Sequence, residues 1–196
     1  MDAFAGASGV ARCEVATVDD PYAWNDMAFS MAAEQPIATI GRIRIVADPE
    51  DGAAAYVVDG NRLEGPFGWE KEKTLGELME RVPALQHGEN LAAYARVMLA
   101  IKFGSAFSPL IDEEDVDFCR RFPFGERVNY DLSSIAPPHV QGDRLVFFAT
   151  NPGLGSVPYR ITVPYPYRED VPGRAELLPF RKKEQPIPAA TATDGT

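Results

Sequence analysis

Apolar spacing along this chain changes four times between a period of two and one of 3.6, and that order leaves few architectures open. In the first stretch, residues 12–18 alternate Cys13, Val15 and Thr17 against Arg12, Glu14 and Ala16, the pattern of a half-buried strand. Residues 37–47 (IATIGRIRIVA) set Ile43 and Ile45 opposite Arg42 and Arg44 and read as one strand with a wet face. DPEDG at 48–52 is turn-forming, and AAAYVV at 53–58 runs into Asp59-Gly60, a dipeptide suited to the positive φ angles of a tight hairpin. A three-strand antiparallel meander follows.

The helical period is announced early by Asp20-Pro21, a cap followed by proline at the first helical position, ahead of Trp24, Met27, Ala28 and Met31 on one face; Pro36 closes it. Thr74 and Glu77 have the spacing of a capping box before Leu75, Leu78, Met79 and Val82, with Pro83 as the stop. A longer helix spans 89–102 on Leu91, Tyr94, Ala95, Met98 and Leu99, ending at Gly104. Another starts near Asp112, carries Val116, Cys119 and Arg120 on related faces, and stops before Pro123.

Alternation then resumes in Val128, Tyr130 and Leu132, a predicted strand, followed by a loop over 133–143 and the continuous apolar run LVFFAT at 145–150. NPGLGS at 151–156 raises the question of a phosphate-cradling loop, but such a loop must lead directly into a helix. Here Tyr159, Ile161 and Val163 alternate instead, among Pro158, Pro164 and Pro166, so the glycines join two strands. The prolines place the second strand at a sheet edge. Residues 168–196, with Pro172, Pro179, Pro186 and Pro188 and no apolar period, read as a proline-rich extended arm or tail on a single domain of residues 1–167. The expected class is α+β: an antiparallel sheet made of the meander plus a C-terminal hairpin, packed with about four helices.

Charge narrows the partners. A formal net charge of −10 opposes binding to a phosphate backbone, which makes free nucleic acid an unsuitable ligand and a basic protein a suitable one. No apolar run reaches the ~18 residues needed to span a bilayer, and the first residues lack a secretory pattern, so no membrane association and a cytoplasmic location are expected. Two cysteines far apart cannot form a disulfide framework. The 14 arginines against 5 lysines, with many alanines, fit GC-rich bacterial coding sequence.

Three groups of residues are candidates for chemistry. Asp112, Glu113, Glu114, Asp115 and Asp117 lack the alternate spacing, central glycine and distal glutamate of a calcium loop; they suit the first turn of a helix, where negative charge meets the dipole, and also an acidic docking patch. His87 and His139 are the only histidines, and with the cysteines they contain no close ligand pair, so neither metal nor cofactor is expected. His139, after Pro137-Pro138, is a candidate general base or a solvated loop residue. Cys119, followed by Arg120 and Arg121, is a candidate nucleophile or a small core side chain three residues after Val116. The position that would hold the arginine of a phosphatase loop is Gly125, and no G-x-S-x-G elbow occurs. Aromatic clusters in FPFG (122–125), GPFGW (65–69) and Tyr159, Tyr165 and Tyr167 are candidate contact surfaces. The reading favoured by these residues is a non-catalytic acidic protein-binding factor, an inhibitor, immunity or accessory protein. Its rivals are a small hydrolase-like enzyme using His139 or Cys119, and a subunit of a larger assembly.

Overall fold

The computed structural model describes residues 13–17, 36–47, 55–60, 62–67, 71–104 and 107–181. Its class is α+β, with antiparallel sheets and three α-helices among the described residues; the helix expected after Asp20 lies outside them. There are two sheets where the sequence suggested one. The first is ordered β1-β5-β4-β3-β2, from β1 (Cys13–Thr17), β2 (Ala38–Ile40), β3 (Ile43–Ala47), β4 (Ala55–Asp59) and β5 (Arg62–Phe67). The β4–β5 hairpin closes where Asp59-Gly60 marked it, with Asp59 opposite Arg62 and Gly60 at φ +61°. The single strand expected over 37–47 is instead a second hairpin, because Gly41 takes φ +58° and folds Ile40 back onto Ile43. The meander therefore has four strands, not three.

Helix α1 (Lys71–Arg81) buries Leu75, Leu78 and Met79 as its spacing required, with Val82 just beyond its end, and the chain tightens into a 3-10 turn at Pro83–Gln86. Thr74 is no cap. The helix starts three residues before it, which leaves Thr74 fully buried in the helix interior. Helix α2 (Leu91–Met98) continues into one π turn, Leu99–Phe103, and ends at Gly104 (φ +91°), whose N–H reaches back to the Leu99 carbonyl at 3.0 Å. Helix α3 (Glu113–Arg121) completes the set.

The second sheet is built on β8 (Arg144–Asn151), paired along its length with β9 (Val157–Pro164) and on its other side with β6 (Ser108–Leu110) and β7 (His139–Gln141); β10 (Arg174–Leu177) lies outside β9. One apolar core runs from Ile45 and Val57 of the first sheet, through Leu78, Tyr94 and Met98, to Leu145, Phe147 and Ile161 of the second. Helix α2 touches β2 of the first sheet and β8 of the second, so it lies between the sheets, with α1 packed against β5. The opposite face of β8, with Val146 and Phe148, packs on Val116, Cys119, Leu132, Ile135 and Leu178, which sets α3 on the outer side of the second sheet. Burial on both faces explains why LVFFAT shows no alternation.

Three expectations about this half are corrected. Val128 to Leu132 is not a strand: Gly125 at φ +58° starts a 3-10 turn, Gly125–Asn129, and Val128 is 44% exposed. The loop over 133–143 contains β7, which Gly142 (φ +64°) turns into β8. Finally, β9 is not an edge. Pro158 and Pro164 sit at its ends, opposite Thr150 and Arg144, leaving Tyr159 to Thr162 free of proline to pair with β10. Residues 174–177, within the stretch read as an arm, are thus an extended strand of the sheet. Beyond it Leu178 is buried, and Phe180 stacks on Tyr130 with ring centroids 4.7 Å apart.

Tyr94 joins these layers with a polar contact. Its hydroxyl, buried in the shared core, donates to the Pro164 carbonyl at 2.6 Å, and burial raises its pKa above the usual tyrosine value. Tyr165 meets it edge-on at 5.2 Å and donates to the Gln86 carbonyl at 2.8 Å. Tyr94→Phe is expected to lower unfolding free energy by about 1–2 kcal/mol, since a buried carbonyl loses its donor; urea denaturation measures it. A Cβ at Gly125 would lie 2.4 Å from the Gly155 carbonyl oxygen, whereas Gly142 has nothing within 4 Å. Gly142→Ala should therefore cost only the left-handed backbone penalty of about 1–2 kcal/mol, and Gly125→Ala more than twice as much, in the same assay.

Candidate functional site

Helix α3 begins where Asp112, in extended conformation, accepts the Asp115 N–H on its Oδ1 at 2.8 Å. Asp115 in turn accepts the Ile111 N–H at 3.2 Å. Acidic residues crowd the first turn and Arg120 and Arg121 the last, both complementing the helix dipole. Of the five predicted patch residues, Asp112 and Asp115 are thus occupied with backbone groups, while Glu113, Glu114 and Asp117 project from the helix. Asp117 pairs with Arg121 one turn on at 3.2 Å, an exposed contact of about 0.3–0.5 kcal/mol that a partner's cation can replace.

Val116 and Cys119 point inward, so the residues one turn apart on the other side face solvent. They form two rows: Glu113, Asp117 and Arg121; and Glu114, Phe118 and Phe122. Phe118 and Phe122 are 54% and 61% exposed with ring centroids 5.5 Å apart, and Phe124, also 54% exposed, extends the aromatic surface past the helix end. The FPFG cluster is therefore at the surface. In contrast, Tyr159, Tyr165 and Tyr167 pack against the main core, as does buried Phe67 of GPFGW; Trp69 lies outside the described residues.

The two candidates for catalysis have different neighbours. His139 is exposed on β7, its Nδ1 2.9 Å from the Pro137 carbonyl oxygen. Cys119 is 1% exposed, and its sulfur accepts a hydrogen bond from Arg127 Nη1 at 3.3 Å. Among the described residues no hydrogen bond joins them to each other or either to a carboxylate, and no group of three or more His, Cys, Asp or Glu side chains could hold a metal ion.

Sequence reasoning missed two features. One is Arg127, which a strand through Val128, Tyr130 and Leu132 would have turned toward solvent; the 3-10 turn buries it to 4% exposure under the Phe124 ring. The other is an open groove of about 770 Å³ between α3 and the chain near Phe180, walled by Arg120, Asp131, Ser133, Phe180 and Arg181. Hydrogen bonds from the Ser133 side chain and backbone, aided by Arg181, hold the Asp131 carboxyl below its ordinary pKa. Arg120 is tied to the Ile135 carbonyl and Arg181 Nε to that of Tyr130, so both cations brace the groove wall. The groove had no sequence signal, since its walls come from segments up to 61 residues apart. Phe118, which the FPFG reading left out, did have one, since it stands four residues before Phe122 on a helix.

No family model matches the chain, and no curated protein or solved structure matches it significantly. No described helix is long and apolar enough to cross a membrane.

With Cys13→Ser removing the other thiol, a thiol reagent is expected to label Cys119 slowly in the native protein and at the free-thiol rate in denaturant. Native labelling at the denatured rate would restore Cys119 as an accessible nucleophile.

Proposed function

We propose that this protein acts by contact, as a non-catalytic protein-binding factor of the inhibitor, immunity or accessory kind that presents the outer face of α3 to a basic partner. The observation that carries this reading is the solvent-exposed trio Phe118, Phe122 and Phe124 beside Glu113, Glu114 and Asp117. Large aromatic side chains anchor interfaces, and each one fully buried contributes about 1.5–3 kcal/mol. The carboxylates beside them favour a segment that carries lysine or arginine alongside apolar residues, and the net charge of −10 speeds encounter with it. We place this action in the cytoplasm, where Cys119 stays a thiol.

The test uses the immobilised full chain to capture proteins from a lysate of the source organism, with identification by mass spectrometry. Glu113, Glu114 and Asp117 changed together to Lys should abolish capture of a basic partner. Phe118→Ser with Phe122→Ser should weaken its affinity about tenfold or more while leaving the salt dependence intact. Equal capture by the wild type and both variants would remove the α3 face from the proposal.

A further inference from the structure

Arg127 is a charge in the wrong place for an isolated protein. It is 4% exposed, and a buried guanidinium costs several kcal/mol unless an acceptor answers it. Its contacts here are weak ones. Nη1 donates to the Cys119 sulfur at 3.3 Å, a poor acceptor, and the Phe124 ring covers the guanidinium with its centroid 3.7 Å from the central carbon. The remaining donors, Nε and Nη2, are buried and have no partner, and no ion pair to a carboxylate is formed among the described residues.

The geometry of the vacancy is specific. Nε and Nη2 share one edge of the guanidinium and present parallel N–H groups, the fork that takes both oxygens of a carboxylate side-on. Arg127 is also held in place. The Glu126 N–H donates to the Gly155 carbonyl at 2.7 Å, Gly125 is pressed against the same carbonyl, and the Tyr130 N–H closes on the Arg127 carbonyl at 3.1 Å. The turn therefore cannot readily carry the guanidinium out to water. What can move is the cover: Phe124 is 54% exposed although its ring lies over the guanidinium.

We propose that Arg127 is a receptor for a carboxylate, taken by Nε and Nη2 once the Phe124 ring swings aside, with Cys119 keeping the third donor in place. A monoanion neutralises the single positive charge, whereas a phosphate dianion would leave a net negative charge in the same buried site. The carboxylate is that of a small free acid or of an Asp or Glu side chain on another protein. The inference does not rest on the α3 docking face, with which it shares only Phe124.

The test is thermal unfolding of the full chain in sodium acetate, in sodium phosphate, and with the peptide acetyl-Lys-Glu-Lys-amide, each against sodium chloride of equal ionic strength. At ten times its dissociation constant, a ligand of the native state should raise Tm by about 3–6 °C for a chain of this size. That rise should vanish in Arg127→Met and appear at lower ligand concentration in Phe124→Ala, which keeps the receptor and removes the cover. A response to acetate assigns a free acid, and a response to the peptide alone assigns a protein side chain. The proposal is overturned by a response to neither, by an equal rise in wild type and Arg127→Met, or by a larger rise in phosphate. If Arg127→Met does not fold, an unchanged midpoint concentration in Phe124→Ala overturns it. Phe118→Ser with Phe122→Ser should leave the acetate response intact, which separates this site from the docking face.

Discussion

Everything in the second half of the chain is organised by burial of β8 on both faces. Leu145, Phe147 and Ala149 face the core shared with α2, while Val146 and Phe148 face the layer that contains α3. One strand thus belongs to two cores. Removing apolar surface from water at about 25 cal/mol per Å² makes such a strand the strongest attractor available to the segments around it. The layer containing α3 is amphipathic as a result: Val116 and Cys119 are drawn onto β8, and the helix is left with an outer face that nothing else in the described chain covers.

That division of labour also bears on the proposal that the protein acts by contact. Groups that do chemistry must converge in a recess, yet His139 lies at the surface on β7 and Cys119 lies beneath α3. The polar side chains around the groove by Phe180 spend their hydrogen bonds on backbone carbonyls and on each other. Among the described residues, the outside of α3 presents aromatic and acidic side chains together, and in the interior Arg127 has no carboxylate counterpart.

Much of this fold was legible where one physical rule acts locally. The Asp59-Gly60 hairpin, the stops at Pro83 and Gly104, the helix start near Asp112 and the inward Val116 and Cys119 all follow from neighbours a few residues away. The failures share a cause as well. Gly41 and Gly125 take left-handed backbone that turns apparent strands into a hairpin and a 3-10 turn, and one glycine among apolar alternation carries little signal of which it will do. The prolines of β9 pointed to an edge, but their position at the two ends of the strand, which only the pairing register reveals, leaves its middle open to β10. For the candidate site, the acidic residues were legible as a group, but not the separation of Asp112 and Asp115, held by the backbone, from the three that project. Arg127 was illegible because its burial depends on a contact between Gly125 and Gly155, thirty residues apart.

The terminal strand has a consequence of its own. β10 is four residues long, Arg174 and Glu176 alternate along it, all four residues are exposed, and Pro172 and Pro179 flank it. A rim so short and so charged is a poor template for the backbone of another molecule. Among the described residues the sheet stops growing there, and this rim discourages copies of the protein from zipping together edge to edge even when crowded.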